Sequence, residues 1–384
     1  MKKFALEIRI MQICVIASIF SQIETLSKVM RPIMMGMWGV VFIYYLIKYN
    51  GKIVLNKSTL VYIGCYWMLL IGSITMTMFG TNHLNGNYIH IMYIPLLASI
   101  VGEFYSKDNE TEKLQIVLWT YLAGAVVYAG WVNINYFSSY SEWLDQNMYT
   151  FMLKNSAAQI WSMGILIAAF LLQYKTILQK IIGYGMSCYL LLLCGISQCR
   201  TALLALAVML VIFVLLKSNH KIRWSIIIII CCAFVWINPI TKKFIDQALF
   251  LTKYAGTDLN TFSSGRLVGW ERALDRFSQS PIFGCGKYYV DCSYISILAE
   301  VGIVGFILVE AIWGVRIYTN LKMGINVNSR AFLLCATVFY FVESILEGYP
   351  PFGPGVSSFM FWFLSEVCTN GFQEDNMITV GDIN

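Results

Sequence analysis

A short polar stretch from Thr261 to Trp270 carries residues that could bind a phosphate. Ser263 or Ser264 fits an N-cap, which would place Arg266 in the first turn of a helix. A helix N-terminus attracts anions through its unpaired N–H groups and its dipole, and a guanidinium adds a two-pronged donor suited to phosphate. The stretch therefore predicts either an anion site at Arg266 or an exposed arginine on a capped helix.

Two further cations stand beside apolar runs. Arg200 lies in the turn Ser197–Thr201, and Lys154 with Asn155 precedes another apolar run. Arg200 is either an interfacial arginine whose head reaches the lipid headgroups or a second anion clamp. If Lys154, Arg200 and Arg266 share one membrane face, their charges would suit a diphosphate.

Carboxylates supply the possible proton acceptors. Asp291 follows a turn containing Gly284 and Gly286 and begins a predicted helix, so it is either an N-cap or a proton acceptor. Glu300 and Glu310 lie deeper in that helix, where they could join helices or take part in catalysis.

Glu343 and Glu347 share one face of the next predicted helix, near its outer end. A carboxylate at the centre of a membrane span costs about 2.5 kcal/mol or more, so such residues usually face a cavity or a partner. These two glutamates could line an outer cavity beside Tyr349.

The composition excludes a soluble enzyme, a disordered chain and a secreted disulfide scaffold. Of 384 residues, 58% are apolar and 12% are charged, against about 25% charged in soluble domains. The mean hydropathy is +0.66. Long unbroken apolar runs favour helices over a β-barrel, because a barrel strand would alternate polar and apolar residues.

The remaining counts argue against two kinds of ligand. The net charge of +6 is spread over loops without a basic patch, so we expect no nucleic-acid partner. Three His and no Cys-x-x-Cys pair predict no zinc site, and we expect no metal or other cofactor.

These elements together predict an all-α polytopic integral membrane protein with about twelve transmembrane helices. Fifteen Lys and Arg fall in loops on the side of the N-terminus, against four in short loops on the other side. Since cations concentrate in cytoplasmic loops, both termini are expected inside. The predicted spans are roughly 8–20, 33–47, 60–79, 88–104, 114–132, 157–173, 178–196, 201–216, 222–237, 293–318, 331–346 and 356–367.

Residues 1–237 then hold nine spans, 238–291 form a large extracytoplasmic loop, 292–368 hold three spans, and 369–384 are a cytoplasmic tail. Apolar residues at helical spacing in the large loop (Leu267, Trp270, Leu274, Phe277) predict a short amphipathic helix on the outer face. A second outer loop, 133–155, carries Trp143 and Tyr149.

With these residues in view, the chain resembles the O-antigen polymerase and ligase superfamily, bacterial enzymes of the Wzy type that handle undecaprenyl-diphosphate-linked sugars. Ser197-x-x-Arg200-Thr201-Ala202 resembles the outer-hairpin arginine motif of that family. The stretch from Ser264 to Gly302 resembles the family's loop-to-helix signature. The residues that carry this resemblance are Ser264-Gly265-Arg266, Trp270, Pro281, Gly284-x-Gly286, Asp291, Tyr294, Leu298, Glu300 and Gly302.

The resemblance implies that Arg200 and Arg266 bind the donor diphosphate and that a group near Asp291 helps deprotonate the acceptor. Ligases of this type commonly have His-Asn where this chain has Asp291-Cys292, which favours a polymerase. We expect Arg200, Arg266 and Asp291 to be catalytic. The substrate-binding set is expected to comprise Lys154, Asn155, Trp270, Tyr288, Tyr294, Glu343 and Glu347.

The expected activity is metal-independent, inverting glycosyl transfer between undecaprenyl-diphosphate-linked oligosaccharides at the outer face of the bacterial cell membrane. It would build an O-antigen, that is lipopolysaccharide, or a capsule. Expected partners are the lipid-linked oligosaccharide, membrane lipid, and flippase and chain-length regulator proteins. Three alternatives remain: a ligase that passes a finished glycan to lipid A or to protein, a transporter or flippase for lipid-linked oligosaccharides, and a non-catalytic membrane scaffold.

Overall fold

The computed structural model is an assembly of helices. It describes residues 2–23, 25–51, 55–78, 86–107, 111–137, 154–217, 221–249, 251, 256–286, 288–322, 327–348, 350, 352 and 356–370. Within these residues the chain forms helices and their connections, without a β-strand. The predicted all-α class is therefore confirmed.

The long helices follow one another with short connections, as the apolar runs predict. They are α1 (Lys2–Phe20), α2 (Ser27–Lys48), α3 (Lys57–Met78), α4 (Gly86–Ser106), α5 (Thr111–Tyr136), α6 (Lys154–Leu166), α7 (Ile177–Ile196), α8 (Arg200–Lys217) and α9 (Lys221–Ile237). A π-helical turn, Ile167–Leu171, continues α6. Three short helices follow: α10 (Pro239–Ala248), α11 (Leu259–Phe262) and α12 (Arg266–Gln279). The last three are α13 (Ser293–Lys322), α14 (Val327–Leu346) and α15 (Val356–Asn370).

Each of the twelve predicted spans falls on one of the long helices. By length and composition, five helical segments of the described chain could cross a membrane: Ser27–Lys48, Thr111–Tyr136, Ile177–Ile196, Ser293–Asn320 and Val327–Leu346. Several apolar helices thus support a multi-pass membrane protein, while the count of twelve spans and the N-in/C-in orientation stay predictions. The short helices α10, α11 and α12 occupy the predicted large outer loop.

Helix α15 lies at the centre of the bundle. Its residues 357–369 are buried on every side, including Phe361 and Trp362, which is the pattern of a helix surrounded by other helices. Phe359 stacks on Trp38 of α2 with ring centroids 4.8 Å apart. Helix α4 approaches α15 closely at Gly102, where an added Cβ would lie 2.5 Å from the Phe363 carbonyl oxygen.

Buried charges are paired at one end of the bundle. Near the start of α1, Glu7 accepts hydrogen bonds from Tyr45 (2.6 Å) and Lys48 (3.0 Å) on α2 and from Lys113 (3.4 Å) on α5. These contacts gather the start of α1, the end of α2 and the start of α5, as expected for helices that alternate in direction. The low dielectric of the interior makes such pairing necessary.

A second pair sits in the C-terminal halves of α13 and α15. Arg316 is fully buried, forms an ion pair with Glu366, and lies over the ring of Tyr62. Along α13, Arg316 is about 35 Å from Ser293, where the helix begins. The start of α13 belongs to the opposite end of the bundle, where the candidate site lies.

Candidate active site

Arg266 is the first residue of α12, as the sequence predicts, but the cap differs from the prediction. Gly265 occupies the N-cap position with φ +82°, and no side chain caps it. Ser263 and Ser264 are therefore not the N-cap, because they form the turn that follows α11. Instead, the Asn260 side chain accepts a hydrogen bond from the Val268 N–H at 3.2 Å. The tight turn needs a left-handed residue, which glycine adopts without strain.

Arg266 holds two carboxylates. Its Nη2 donates to Glu347 Oε1 at 2.7 Å, and its Nε donates to Asp291 Oδ2 at 3.4 Å. The side chains of Arg266 and Glu347 are only 16% and 7% exposed, whereas Asp291 is 40% exposed. With all three ionised, this group carries one more negative than positive charge. The structure thus brings together three of the predicted site residues.

Arg200 joins the same loop from another side. It begins α8, and its Nη1 donates to the Phe262 carbonyl at 3.0 Å while its Nη2 donates to Ser264 Oγ at 2.8 Å. The guanidinium also lies over the Phe262 ring, 5.7 Å from its centroid. Arg200 therefore fixes the turn that ends two residues before Arg266.

Lys154 and Asn155 reach the site from the start of α6. The Cys199 thiol donates to the Lys154 carbonyl at 3.1 Å, which ties α6 to the turn that holds Arg200. The side chain of Asn155 hydrogen-bonds to Glu347. Both residues are half-buried at this end of the bundle, so the structure places the Asn155 amide beside Glu347 and the Lys154 backbone beside Cys199.

Asp291 precedes α13 and does not cap it. The helix begins at Ser293, and the Asp291 carboxylate turns toward Arg266 instead. Trp270 Nε1 donates to the Asp291 carbonyl at 3.1 Å, and Ser293 Oγ donates to the Glu347 carbonyl at 3.4 Å. These bonds join α12, the start of α13 and the end of α14 around the carboxylates.

Tyr289 lies within reach of the same carboxylates, although it was not among the predicted site residues. Its phenol hydrogen-bonds to Asp291. Although the side chain as a whole is 54% exposed, desolvation of the phenol raises its pKa, and the negative charges of Asp291 and Glu347 add to the shift. The signal available in the sequence was its position two residues before Asp291.

Tyr288 and Tyr294 lie apart from Arg266. They pack with Trp270 around a small cluster of Ala273, Val290, Cys292 and Ala299. The Tyr288 ring also lies beneath the Arg276 guanidinium, 5.7 Å away, and the Tyr294 ring is 6.0 Å from that of Phe341. The structure therefore places both tyrosines in a packed cluster next to the site.

The loop before Asp291 is clamped to a break in α13. Gly302 interrupts the helix with φ +67° and ψ −171°. The carbonyls of Ala299 and Glu300 accept hydrogen bonds from Cys285 N (2.8 Å) and Gly286 N (3.2 Å). The N–H groups beyond the break pair in turn with Pro281 (from Ile303, 2.9 Å) and Ile282 (from Val304, 3.3 Å).

The broken helix thus satisfies its backbone groups with a neighbouring loop, as burial requires. An added Cβ on Gly284 would overlap the Glu300 carbonyl group, so the close approach depends on glycine. The Glu300 carboxylate completes the clamp by accepting from Tyr288 N at 3.1 Å. This contact gives Glu300 a role in positioning the loop before α13.

Glu343 lies one turn before Glu347, fully buried. Its Oε2 accepts a hydrogen bond from Gln159 Nε2 of α6 at 2.8 Å, and Ser357 Oγ donates to Gln159 Oε1 at 3.5 Å. Glu343 is therefore part of a polar contact among α6, α14 and α15 directly beneath the site.

Opposing effects set the acidity of Glu347. Burial raises the pKa of its carboxyl above the usual range of a glutamate, and the charge of Arg266 lowers it. The charge of Asp291 raises this pKa further, while hydrogen bonding from Asn155 lowers it. The protonation of Glu347 therefore depends strongly on what Arg266 contacts.

The remaining predictions concern residues outside the described part of the chain and the binding of metal ions. Trp143, Tyr149 and Tyr349 fall outside the described residues, as does the tail from 371 onward. In the part of the chain that the structure describes, His, Cys, Asp and Glu side chains form no group of three or more that could hold a metal ion.

Comparison with known protein families gives a match over part of the chain. A model of the O-antigen ligase family matches residues 185–309, the stretch that contains Arg200, Arg266 and Asp291. Among curated proteins, none matches the chain. The resemblance seen in the sequence is confirmed over this stretch: the match at residues 185–309 supports the O-antigen ligase and polymerase superfamily.

Proposed function

We propose that this protein polymerises a bacterial surface polysaccharide, an O-antigen or a capsule, from undecaprenyl-diphosphate-linked repeat units. The observation that carries the proposal is the contact of Arg266 with Asp291 and Glu347, beside the turn fixed by Arg200. Cations that can hold a diphosphate and carboxylates that can take a proton are the groups that glycosyl transfer from a lipid diphosphate requires.

In the proposed reaction, a hydroxyl of the incoming repeat unit attacks the anomeric carbon of the growing polymer. The new bond joins this hydroxyl oxygen to the anomeric carbon, while the bond from that carbon to the diphosphate oxygen breaks. The hydroxyl proton passes to a carboxylate, and the undecaprenyl diphosphate leaves as an anion. Arg200 and Arg266 stabilise the charge that develops on it, so the reaction needs no metal ion.

The outer face of the cell membrane is the proposed location of this reaction. The excess of cations in the loops on the opposite side supports this orientation. The short helices α10, α11 and α12 carry exposed apolar side chains such as Ile240, Leu259 and Leu274, which suit contact with lipid. The polyprenyl chain of each substrate would enter from the bilayer between helices.

A ligase is the second candidate, because the matching family model is described as O-antigen ligase. The two activities share the donor and differ in the acceptor: a second lipid-linked repeat unit for the polymerase, and lipid A or protein for the ligase. The pair Asp291-Cys292, where ligases commonly have His-Asn, supports the polymerase.

The test is reconstitution of the purified protein in nanodiscs with the lipid-diphosphate repeat unit, without nucleotide or metal. We expect a ladder of products on a gel, and Arg266→Ala should abolish it. Arg272→Ala, which changes an exposed arginine on the same helix, should leave the ladder unchanged.

Two other results would redirect the assignment. A single transfer to added lipid A core without a ladder would identify a ligase. Transport of the repeat unit across a proteoliposome membrane, without any glycosyl transfer, would contradict an enzymatic function. Asp291→Asn run in parallel reports on the proton acceptor: full activity would remove Asp291 from the mechanism without affecting the proposed function.

A further inference from the structure

We infer that Glu347 is the proton acceptor of the reaction, and that it becomes basic only when the donor diphosphate takes Arg266 away from it. This inference rests on the proposed function and goes beyond it by separating the roles of the two carboxylates. It also makes Arg266 a switch between two anionic partners, the carboxylate in the empty site and the diphosphate in the loaded one.

Arg266 cannot hold a diphosphate without changing its bond to Glu347. A guanidinium binds an anion bidentately through Nε with Nη2 or through Nη1 with Nη2. Its Nη2 is bonded to Glu347 at 2.7 Å and its Nε to Asp291 at 3.4 Å. A diphosphate on either edge therefore shares Nη2 with Glu347 or displaces it, and in both cases its charge offsets the charge that Glu347 senses.

The buried surroundings of Glu347 increase the effect of weakening its interaction with Arg266. Its side chain is 7% exposed, so water screens its charge interactions weakly. The groups that act on its charge come from several neighbouring elements. They are Arg266 of α12, Tyr289 and Asp291 before α13, Glu343 of α14, Asn155 of α6, Thr201 of α8, and Cys199 in the turn before α8, on which Lys154 acts in turn.

Once Arg266 is neutralised, burial, the nearby carboxylates and the diphosphate itself all favour a proton on Glu347. Its pKa therefore rises toward neutrality, where a general base is most effective. The acceptor hydroxyl can lose its proton to Glu347 only when a donor is seated.

Asp291 responds less to the same event. Its side chain is 40% exposed, so water already screens its interaction with Arg266, and losing that interaction affects it less. Its exposed carboxylate can accept a hydrogen bond from the acceptor hydroxyl and so orient it. We assign Asp291 to orienting the acceptor and Glu347 to deprotonating it.

Proton uptake on donor binding tests this inference independently of turnover. The full-length protein in nanodiscs is titrated with undecaprenyl diphosphate, which has no sugar to transfer. The titration uses calorimetry in two buffers of different ionisation enthalpy, between about pH 5.5 and 8. We expect uptake of a fraction of a proton per bound lipid that grows toward the acidic end. By linkage, the lipid should also bind more tightly there.

Two variants identify the group that takes up the proton. Glu347→Gln should lose most of the uptake and bind undecaprenyl diphosphate about tenfold more tightly, because no carboxylate competes for Arg266. Asp291→Asn should retain the uptake. Ionisation of the diphosphate itself is common to all three proteins, so the difference between them reports on the carboxylates. Glu112→Gln, which changes an exposed glutamate paired with Lys175, serves as the control.

The outcomes separate this inference from the proposed function. Binding without proton uptake, or uptake unchanged in Glu347→Gln, would overturn the switch while the proposed function stands. Failure of the native protein to bind undecaprenyl diphosphate would contradict the proposed function and the switch with it.

Turnover supplies a second readout that does not depend on the calorimetry. Glu347→Gln should lower kcat by about 10²- to 10⁴-fold without raising the KM for the donor. Glu347→Asp should restore part of the rate, which a purely structural role would not predict. An unfolding midpoint for each variant in detergent distinguishes a lost base from a lost fold.

Discussion

At the scale of single residues, the contacts of Arg266 depend on the planar shape of its guanidinium as much as on its charge. One guanidinium contacts the carboxylates of Asp291 and Glu347 through different nitrogens. These carboxylates come from the loop before α13 and from the residue after α14. A single side chain therefore joins three segments that are far apart in the sequence.

Replacing Arg266 with lysine should separate shape from charge. An ammonium is a compact donor and cannot hold both carboxylates as the planar fork does. We expect Arg266→Lys to lower the initial rate of polymer formation about 100-fold while keeping the net charge. Arg272→Lys on the exposed side of α12 should keep the native rate. A lysine variant as active as the native protein would show that charge alone suffices.

The sequence identified the chemistry of the site better than its contacts. Arg266, Asp291 and Glu347 could be selected because charged residues near apolar runs need a partner. That they touch one another depends on how α12, α13 and α14 pack, which spacing along the chain does not determine. The cap of α12 was mispredicted because Ser263 and Ser264 are favoured N-caps, whereas the hydrogen bond from the Val268 N–H is accepted by Asn260 of α11.

At the scale of elements, the decisive feature is the break in α13 at Gly302. The loop of Pro281, Ile282, Cys285 and Gly286 pairs with the backbone groups that the break releases. Residues 281–290 lead directly to Asp291, so the clamp sets where that carboxylate stands. The element therefore acts on the site through position, without contacting Arg266.

Gly302→Ala should damage this element. At φ +67° an L-residue is strained, and the added Cβ would overlap the Ile282 carbonyl group. We expect a loss of about 1–3 kcal/mol or more in stability and a lower unfolding midpoint in detergent. Gly314→Ala on the same helix is the matched control, because no atom lies within 4 Å of its added Cβ. Equal midpoints for the two variants would contradict a conformational requirement at Gly302.

The positions of the helices were largely predictable, and the break was not. Long apolar runs mark membrane helices because the bilayer demands about 20 apolar residues per crossing, and each predicted span falls on a helix. Gly302 lies within such a run, and a glycine there is equally compatible with an unbroken helix. Only the partner loop, which closes on it from outside the helix, decides between the two.

At the scale of the whole molecule, polar groups concentrate at two opposite ends of an apolar bundle. One end holds Arg266 and its carboxylates, and the other holds Glu7 with Lys48 and Lys113. Given the cation bias in the loops, the end with Glu7 should face the cytoplasm. The two ends are thus expected to lie in different compartments.

Cysteine labelling of intact cells tests that orientation. A membrane-impermeant thiol reagent should label Gln279→Cys at the end of α12, since this exposed position lies at the outer end. Lys175→Cys, exposed between α6 and α7, should react only after permeabilisation. The native protein, with its own cysteines, gives the background. Labelling of both positions, or of Lys175→Cys alone, in intact cells would contradict the predicted orientation.

The burial of α15 also has a consequence for how the protein is made. This helix packs against α2, α4, α13 and α14, and all of these are synthesised before it. Until it enters, their inner surfaces face lipid or one another in some other arrangement. The bundle therefore reaches its final form only after a late segment is threaded between helices already in the bilayer. At Gly102, α4 and α15 lie so close together that a larger residue on α4 would obstruct the entry of α15.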